Sequence, residues 1–192
     1  MAPKESHIIA IKRILWYIKG TTEYVLWCPK GNNLAIQAYK DANWAGSVDD
    51  RSSTSGVAFY LGGFLVSWLS KKQSSISLST TYVEYIVETT FCTQFLWMKK
   101  TSQDIKVNFD ENIPIFCGNI NSISISKNLV MHSQTKHILI KYHLVRENVT
   151  KNNTKIEYVG TKEQIGDIFA KPLPHEEFDY LHLKLGIIPS SH

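Results

Sequence analysis

Apolar and polar positions along the chain follow first one period and then another. Residues 7–19 read as a first helix that ends at Gly20. From Leu34 to Ala42 the side chains alternate, with Leu34, Ile36 and Ala38 on one face, which predicts a strand. The stretch GSVDDRSSTSG is dense in turn formers and reads as a polar loop. Val57–Leu61 and Phe64–Leu69 then form a predicted hairpin around Gly62-Gly63, a pair suited to positive φ.

The period changes in STTYVEYIVETTFCTQFLWMKK. There Val83, Val87, Phe91, Phe95 and Met98 line one face of a predicted helix, and Thr81-Tyr82-Val83-Glu84 has the spacing of a capping box. Ile113–Cys117 reads as a short buried strand, with Asn119 set to cap the helix after it. Ile138, Tyr142, Val145 and Val149 recur at helical spacing. Ile156–Val159 is the last predicted strand, followed by helical QIGDIFAK and a C-terminal helix near Glu176–Leu185. No internal repeat is visible. The order βββ-α-β-α-α-β-α implies a mixed sheet, an antiparallel meander extended through helical crossovers.

Composition narrows the class. With 192 residues, 43% hydrophobic and 11% aromatic, the chain can bury one sizeable core. A net charge of +4 is compatible with a polyanionic partner without demonstrating one. Cys28, Cys92 and Cys117 are widely spaced with no CxxC pair, which fits free thiols and an intracellular setting, in the cytoplasm or nucleus. No apolar run is long enough to span a membrane, and the N-terminal segment lacks a signal-peptide pattern. The first helix is expected to pack against the rest of the protein. The five tryptophans are expected in the core, with Trp44 the one set to touch substrate.

With the elements placed, DANWAGSVDDRSSTSGVAFYLGGFLVSWLSKKQSSISLSTT resembles the ribonuclease H segment of copia-type retrotransposon polyproteins. So do HSQTKHILIKYHLVRE, EYVGTKEQIGDIFAKPLP and the closing LKLGI, while AIKRILWYIKGT resembles the tail of the reverse transcriptase just upstream. The resemblance implies a ribonuclease H-like α/β fold, a five-stranded mixed sheet flanked by helices. It divides the chain into a reverse-transcriptase remnant at 1–32, the ribonuclease H-like domain at 33–175, and a C-terminal helix and tail at 176–192. The implied partners are an RNA–DNA hybrid and the reverse-transcriptase portion of the same polyprotein.

The implied chemistry is hydrolysis of the RNA strand by two Mg2+ ions, with Mn2+ as a substitute. Magnesium prefers hard carboxylate oxygens, so several acids must converge. By resemblance the catalytic and metal-binding acids fall on Asp41, Glu84 and Asp167, and the remaining one falls on Gly118, which has no side chain. That glycine implies an impaired nuclease, with an inactive nucleic-acid-binding relic as the alternative. Glu88, Asp49 and Asp50 are the neighbouring acids that could substitute. Asn43, Tyr82 and Leu139 also depart from the family pattern. Each acid has a plainer reading: Asp41 as a polar strand end, Glu84 as a capping-box acid, Asp167 as a first-turn helix acid. Lys71, Lys72, Gln73 and His137 are candidate contacts to the nucleic-acid backbone, since such side chains suit phosphate and 2′-OH oxygens. His132 and His143 read as ordinary surface or core residues.

Overall fold

The structure is a computed structural model that describes residues 3–30, 35–73, 80–104, 106, 112–127 and 153–190. Its centre is a five-stranded sheet of β2 (Ile36–Asn43), β3 (Thr54–Leu61), β4 (Phe64–Lys72), β5 (Ile113–Cys117) and β6 (Thr154–Tyr158), in spatial order β4-β3-β2-β5-β6. The first three strands are an antiparallel meander, and β5 and β6 add to it in parallel. Gly62 and Gly63 take φ of 60° and 89° in the β3–β4 turn, a left-handed pair that glycine supplies without strain.

One face of the sheet is covered by α2 (Thr80–Asp104). Its predicted stripe is the core: Val83, Val87, Phe91 and Phe95 are buried, and Met98 packs at the edge. Phe91 stacks on Phe59 at 5.0 Å between ring centroids and on Phe95 at 5.9 Å. The opposite face holds a second core of Ala58, Tyr60, Leu65, Ile165, Leu181 and Leu185. That core is closed by the short α4 (Asp167–Ala170) and by α5 (His175–Lys184). The remaining helix of the sheet layer, α3 (Ile120–Lys127), begins where Asn119 Oδ1 accepts the Ser122 backbone N–H at 3.1 Å, the cap expected there.

Two short strands escape the period-based reading. β1 (Tyr24–Leu26) and β7 (Ile187–Pro189) pair antiparallel in a separate ribbon, so Ile156–Val159 is not the final strand. The helical expectation for QIGDIFAK contracts to α4, because a 3-10 turn at Thr161–Glu163 and an extended Gln164 precede it. The first helix, α1 (Glu5–Gly20), buries no residue, contrary to the expected packing. Its described contacts are few, chiefly Tyr17 against Phe178 and His182, so Ile11, Ile14, Leu15 and Trp16 stay exposed. The tryptophans are also not core: all five are at least 46% exposed. Phenylalanine and branched aliphatics fill the α2 stripe, and Trp97 lies off it. Leu34 and the segment containing Ile138, Tyr142, Val145 and Val149 lie outside the described residues. Among the described residues no helix is long and apolar enough to cross a membrane. Cys28 is exposed, Cys92 and Cys117 are buried, and all three are free thiols.

Candidate active site

At the ends of β2 and β5 a cavity of about 410 Å³ opens to solvent. Asp41, Glu84, Gly118 and Asp167 all line it, brought together from segments far apart in the chain. The register accounts for two of them. Lys40 pairs with Cys117, so Asp41 and Gly118 are the next neighbours on parallel strands. Among the described residues, a Cβ built on Gly118 would meet nothing nearer than Gln164 Nε2 at 3.8 Å and the Val159 carbonyl oxygen at 3.9 Å. The position therefore has room for a Cβ, and the sequence places none there.

Asp167 reaches the cavity because α4 lies unusually close to the sheet. A Cβ on Gly166 would come within 2.9 Å of the Asp41 backbone nitrogen, and one on Gly56 within 2.4 Å of the Gly166 carbonyl oxygen. Only glycine at both positions permits that approach. Gln164 fixes the loop ahead of α4: its Nε2 donates to the Lys40 carbonyl at 3.0 Å, and its Oε1 accepts the Gly166 N–H at 3.1 Å.

The acids form two pairs. Asp41 and Asp167 face each other under Lys171, whose Nζ lies 2.7 Å from Asp167 Oδ2 and 3.8 Å from Asp41 Oδ2. Both Oδ2 atoms are buried and lack a hydrogen bond of good geometry. Burial and then the Asp41 charge push the Asp167 carboxyl up to about 7, against the pull of Lys171. The other pair is Glu84 and Glu88, one helical turn apart on α2. Lys40 serves both, with Nζ at 3.4 Å from Glu84 Oε2 and 3.3 Å from Glu88 Oε1. Burial pushes Glu84 up to about 7 and raises Glu88, with Lys40 opposing in each case. Burial alone would lower the Lys40 ammonium, but Glu88, Cys117 and Glu84 outweigh it, so Lys40 stays charged.

These contacts alter several expectations. Glu84 turns inward, with its Oε2 toward the Lys40 ammonium. Glu88 is wholly buried against Lys40, and Asp50 is engaged by Lys72 and by the Ser52 hydroxyl, so neither fills the place of Gly118. Gln73 is also drawn inward: its amide donates to Ser55 Oγ at 2.9 Å and to the Val83 carbonyl at 3.2 Å, tying β3 to α2 instead of facing solvent. Lys71 and Lys72 are exposed at the end of β4. Trp44 is 46% exposed but does not line the cavity. His132, His137, Leu139 and His143 lie outside the described residues.

Lys40 and Lys171 are site residues that sequence reasoning missed. Both left a signal. Lys40 falls in phase with Ile36 and Ala38 on a core face, where a charge demands partners, and Glu84 and Glu88 stand four apart on the facing helix. Lys171 stands four residues after Asp167.

The retrovirus-related Pol polyprotein from transposon RE1 of Arabidopsis thaliana is 36% identical over 185 residues, 96% of this chain and 13% of that protein. The one from transposon TNT 1-94 of Nicotiana tabacum is 36% identical over the same share of this chain and 14% of its own length. This chain belongs to the copia-type Pol polyproteins. It spans about an eighth of their length. Among solved structures, LC11-RNase H1 isolated from compost superposes with a TM-score of 0.52 at 13% identity, covering 76% of this chain and 96% of that one. Its complex with an RNA/DNA hybrid gives 0.50 at 9% identity, over 67% and 88%. Those likenesses establish the fold, the five-stranded mixed sheet read from the element order. No family model matches the chain.

Proposed function

We propose that this domain acts on the RNA strand of an RNA–DNA hybrid as the ribonuclease H segment of a transposon polyprotein, in a form impaired at Gly118. The observation that carries the reading is the convergence of Asp41, Glu84 and Asp167 with Gly118 around one cavity at the strand ends. Ligands of α/β sheets bind at such strand ends. We assign Asp41, Glu84 and Asp167 as the acids of the site, residues 1–32 as polymerase-derived, and residues 33–175 with the tail at 176–192 as the hydrolytic unit. The exposed apolar side chains of α1 support contact with the polymerase portion of the polyprotein.

The fit to divalent metal is partial. Hard, buried carboxylate oxygens at Asp41 and Asp167 suit one such cation. The Glu84 half suits a second poorly, because Lys40 already holds that carboxylate and Gly118 offers no donor. Among the described residues no three His, Cys, Asp or Glu side chains are grouped to hold a metal ion. When bound, a divalent cation would polarise the scissile phosphate and acidify a water. Asp41 and Asp167 would hold it, and Gln164 keeps the Asp167 loop against β2. Lys171, a third exposed, can leave the acids for a phosphate oxygen.

Cleavage of an end-labelled RNA–DNA hybrid with Mg2+ or Mn2+ tests the reading. Gly118→Asp is expected to raise the rate at least about tenfold, or about 1.4 kcal/mol of barrier, and Asp41→Asn is expected to abolish that gain. A folded Gly118→Asp protein that binds hybrid without cutting it would favour the second reading, a non-catalytic binding domain, to which Gly118 and the Lys40 pairing already lean. Cleavage that survives Asp41→Asn would refute the carboxylate assignment.

A further inference from the structure

Lys40 is the largest fully buried side chain among the described residues, at 0% exposure, and it sits on a sheet face otherwise made of Ile36 and Ala38. Its ammonium is enclosed by Glu88 Oε1 at 3.3 Å, Glu84 Oε2 at 3.4 Å and the Glu84 carbonyl oxygen at 3.5 Å. Cys117 Sγ approaches Glu84 Oε2 from the neighbouring strand at 4.0 Å. Glu88 is itself at 0% exposure, and among the described residues Lys40 is the cation that faces it. We propose that the Lys40 ammonium is the resident cation of the buried half of this site, so that the chain takes one divalent ion, between Asp41 and Asp167, and none at Glu84. The proposal rests on the cavity being a metal-dependent nuclease site and adds its ion count and the residue that sets it.

The asymmetry between the two lysines carries the inference. Four carboxylates, Asp41, Glu84, Glu88 and Asp167, meet two ammonium groups, one per pair. Lys171 lies at the cavity mouth with its side chain 33% exposed, and it can swing into water and yield its place to a metal ion. Lys40 has no such exit. Moving it would leave Glu88 charged and unpaired inside the core, so Glu84 stays committed to the interior. A second divalent ion beside Glu84 would also meet the ammonium at close range without the carboxylate that residue 118 could have supplied. Restoring an acid at 118, the neighbour of Asp41 on the parallel strand, therefore adds a ligand to the one ion, which is the source of the expected gain in cleavage, and is insufficient for a second ion while Lys40 remains.

Mn2+ titration of the whole chain, followed by the electron paramagnetic resonance signal of the free ion, counts the sites directly. One ion per chain is expected for the unmodified protein, lost in Asp41→Asn, and still one for Gly118→Asp. Two are expected when Gly118→Asp is combined with Lys40→Met and Glu88→Gln, the last change sparing the core a bare carboxylate. Two ions in the unmodified protein or in Gly118→Asp alone would overturn the role of Lys40 while leaving the nuclease reading standing. A single ion in the folded triple variant would overturn it as well. No ion in any variant would overturn the nuclease reading itself. The first two counts require no change at Lys40 and decide the matter even if the triple variant does not fold.

Discussion

Replacing Lys40 by methionine keeps the stem that packs between β2 and α2 and removes only the charge. Glu84 and Glu88 then remain as carboxylates without the cation that faces them at 3.4 and 3.3 Å. At an effective dielectric of about 20, each such pair is attracted by about 5 kcal/mol, most of which offsets the cost of burying the charges. Breaking a buried pair by deleting one partner costs about 3–5 kcal/mol. That is a large share of the roughly 5–15 kcal/mol that holds a domain together. Glu88 can escape part of the penalty by taking up a proton, since burial already raises its carboxyl. The loss is therefore expected to be full at pH 8 and smaller at pH 5. Urea unfolding followed by circular dichroism reads it as a lower midpoint at unchanged slope. Adding Glu88→Gln should recover most of the loss, because a neutral amide costs far less to bury than a charge. Lys72→Met, which breaks the exposed pair with Asp50, should leave the midpoint where it was. A Lys40→Met protein within about 1 kcal/mol of the parent at pH 8 would refute the enclosed ion pair.

Stability should also fall as pH rises. The Glu84 and Asp167 carboxyls lie near 7 in the folded chain and near 4.5 and 3.8 when unfolded, so the folded state holds extra protons between those values. Their contribution is full below about pH 4 and is lost as pH rises through 7. A melt in chelator should be higher at pH 5 than at pH 8, with added Mn2+ narrowing the gap; a higher melt at pH 8 would contradict the buried acid pairs. Hybrid binding in a filter assay should weaken steeply with salt, and Lys71→Ala and Lys72→Ala should each reduce the log–log slope by about 1; an unchanged slope would remove those lysines from the interface. Phe91→Ala, which empties the stack between Phe59 and Phe95, should cost about 3–5 kcal/mol in the same urea assay.

Most of the sheet was legible because its signals are local. The Gly62-Gly63 turn, the stripe from Val83 to Phe95 and the strand Ile113–Cys117 each show their period within a few residues. The β1–β7 ribbon was not, since three exposed residues in β1 and two half-buried isoleucines followed by an exposed proline in β7 leave no alternation, and their pairing spans most of the chain. Asp41, Glu84 and Asp167 were located through motif strings, which carry the position of an acid but not the direction its side chain takes. That direction is set by cations arriving from elsewhere. Lys40 pulls Glu84 inward beside Glu88 and Lys171 caps Asp167 beside Asp41, so the acids found at the site fall into two lysine-bridged pairs. Gln73 went astray for a similar reason: its run of polar neighbours suggested solvent, while the end of α2 offered a carbonyl to bind.

The ribbon also decides how the domain yields to a pull. Tyr24 pairs with Pro189 and Leu26 with Ile187, and Ser190 donates its N–H to the Glu23 carbonyl, so the incoming and outgoing chains leave the same end of an antiparallel pair. Tension applied across residues 23 and 190 falls on the outermost bond first and then on the next, as in a zipper. The main sheet feels no load until the ribbon has opened. A motor pulling on the C-terminal flank would peel β7 from β1 before load reaches α5, whose Leu181 belongs to the second core.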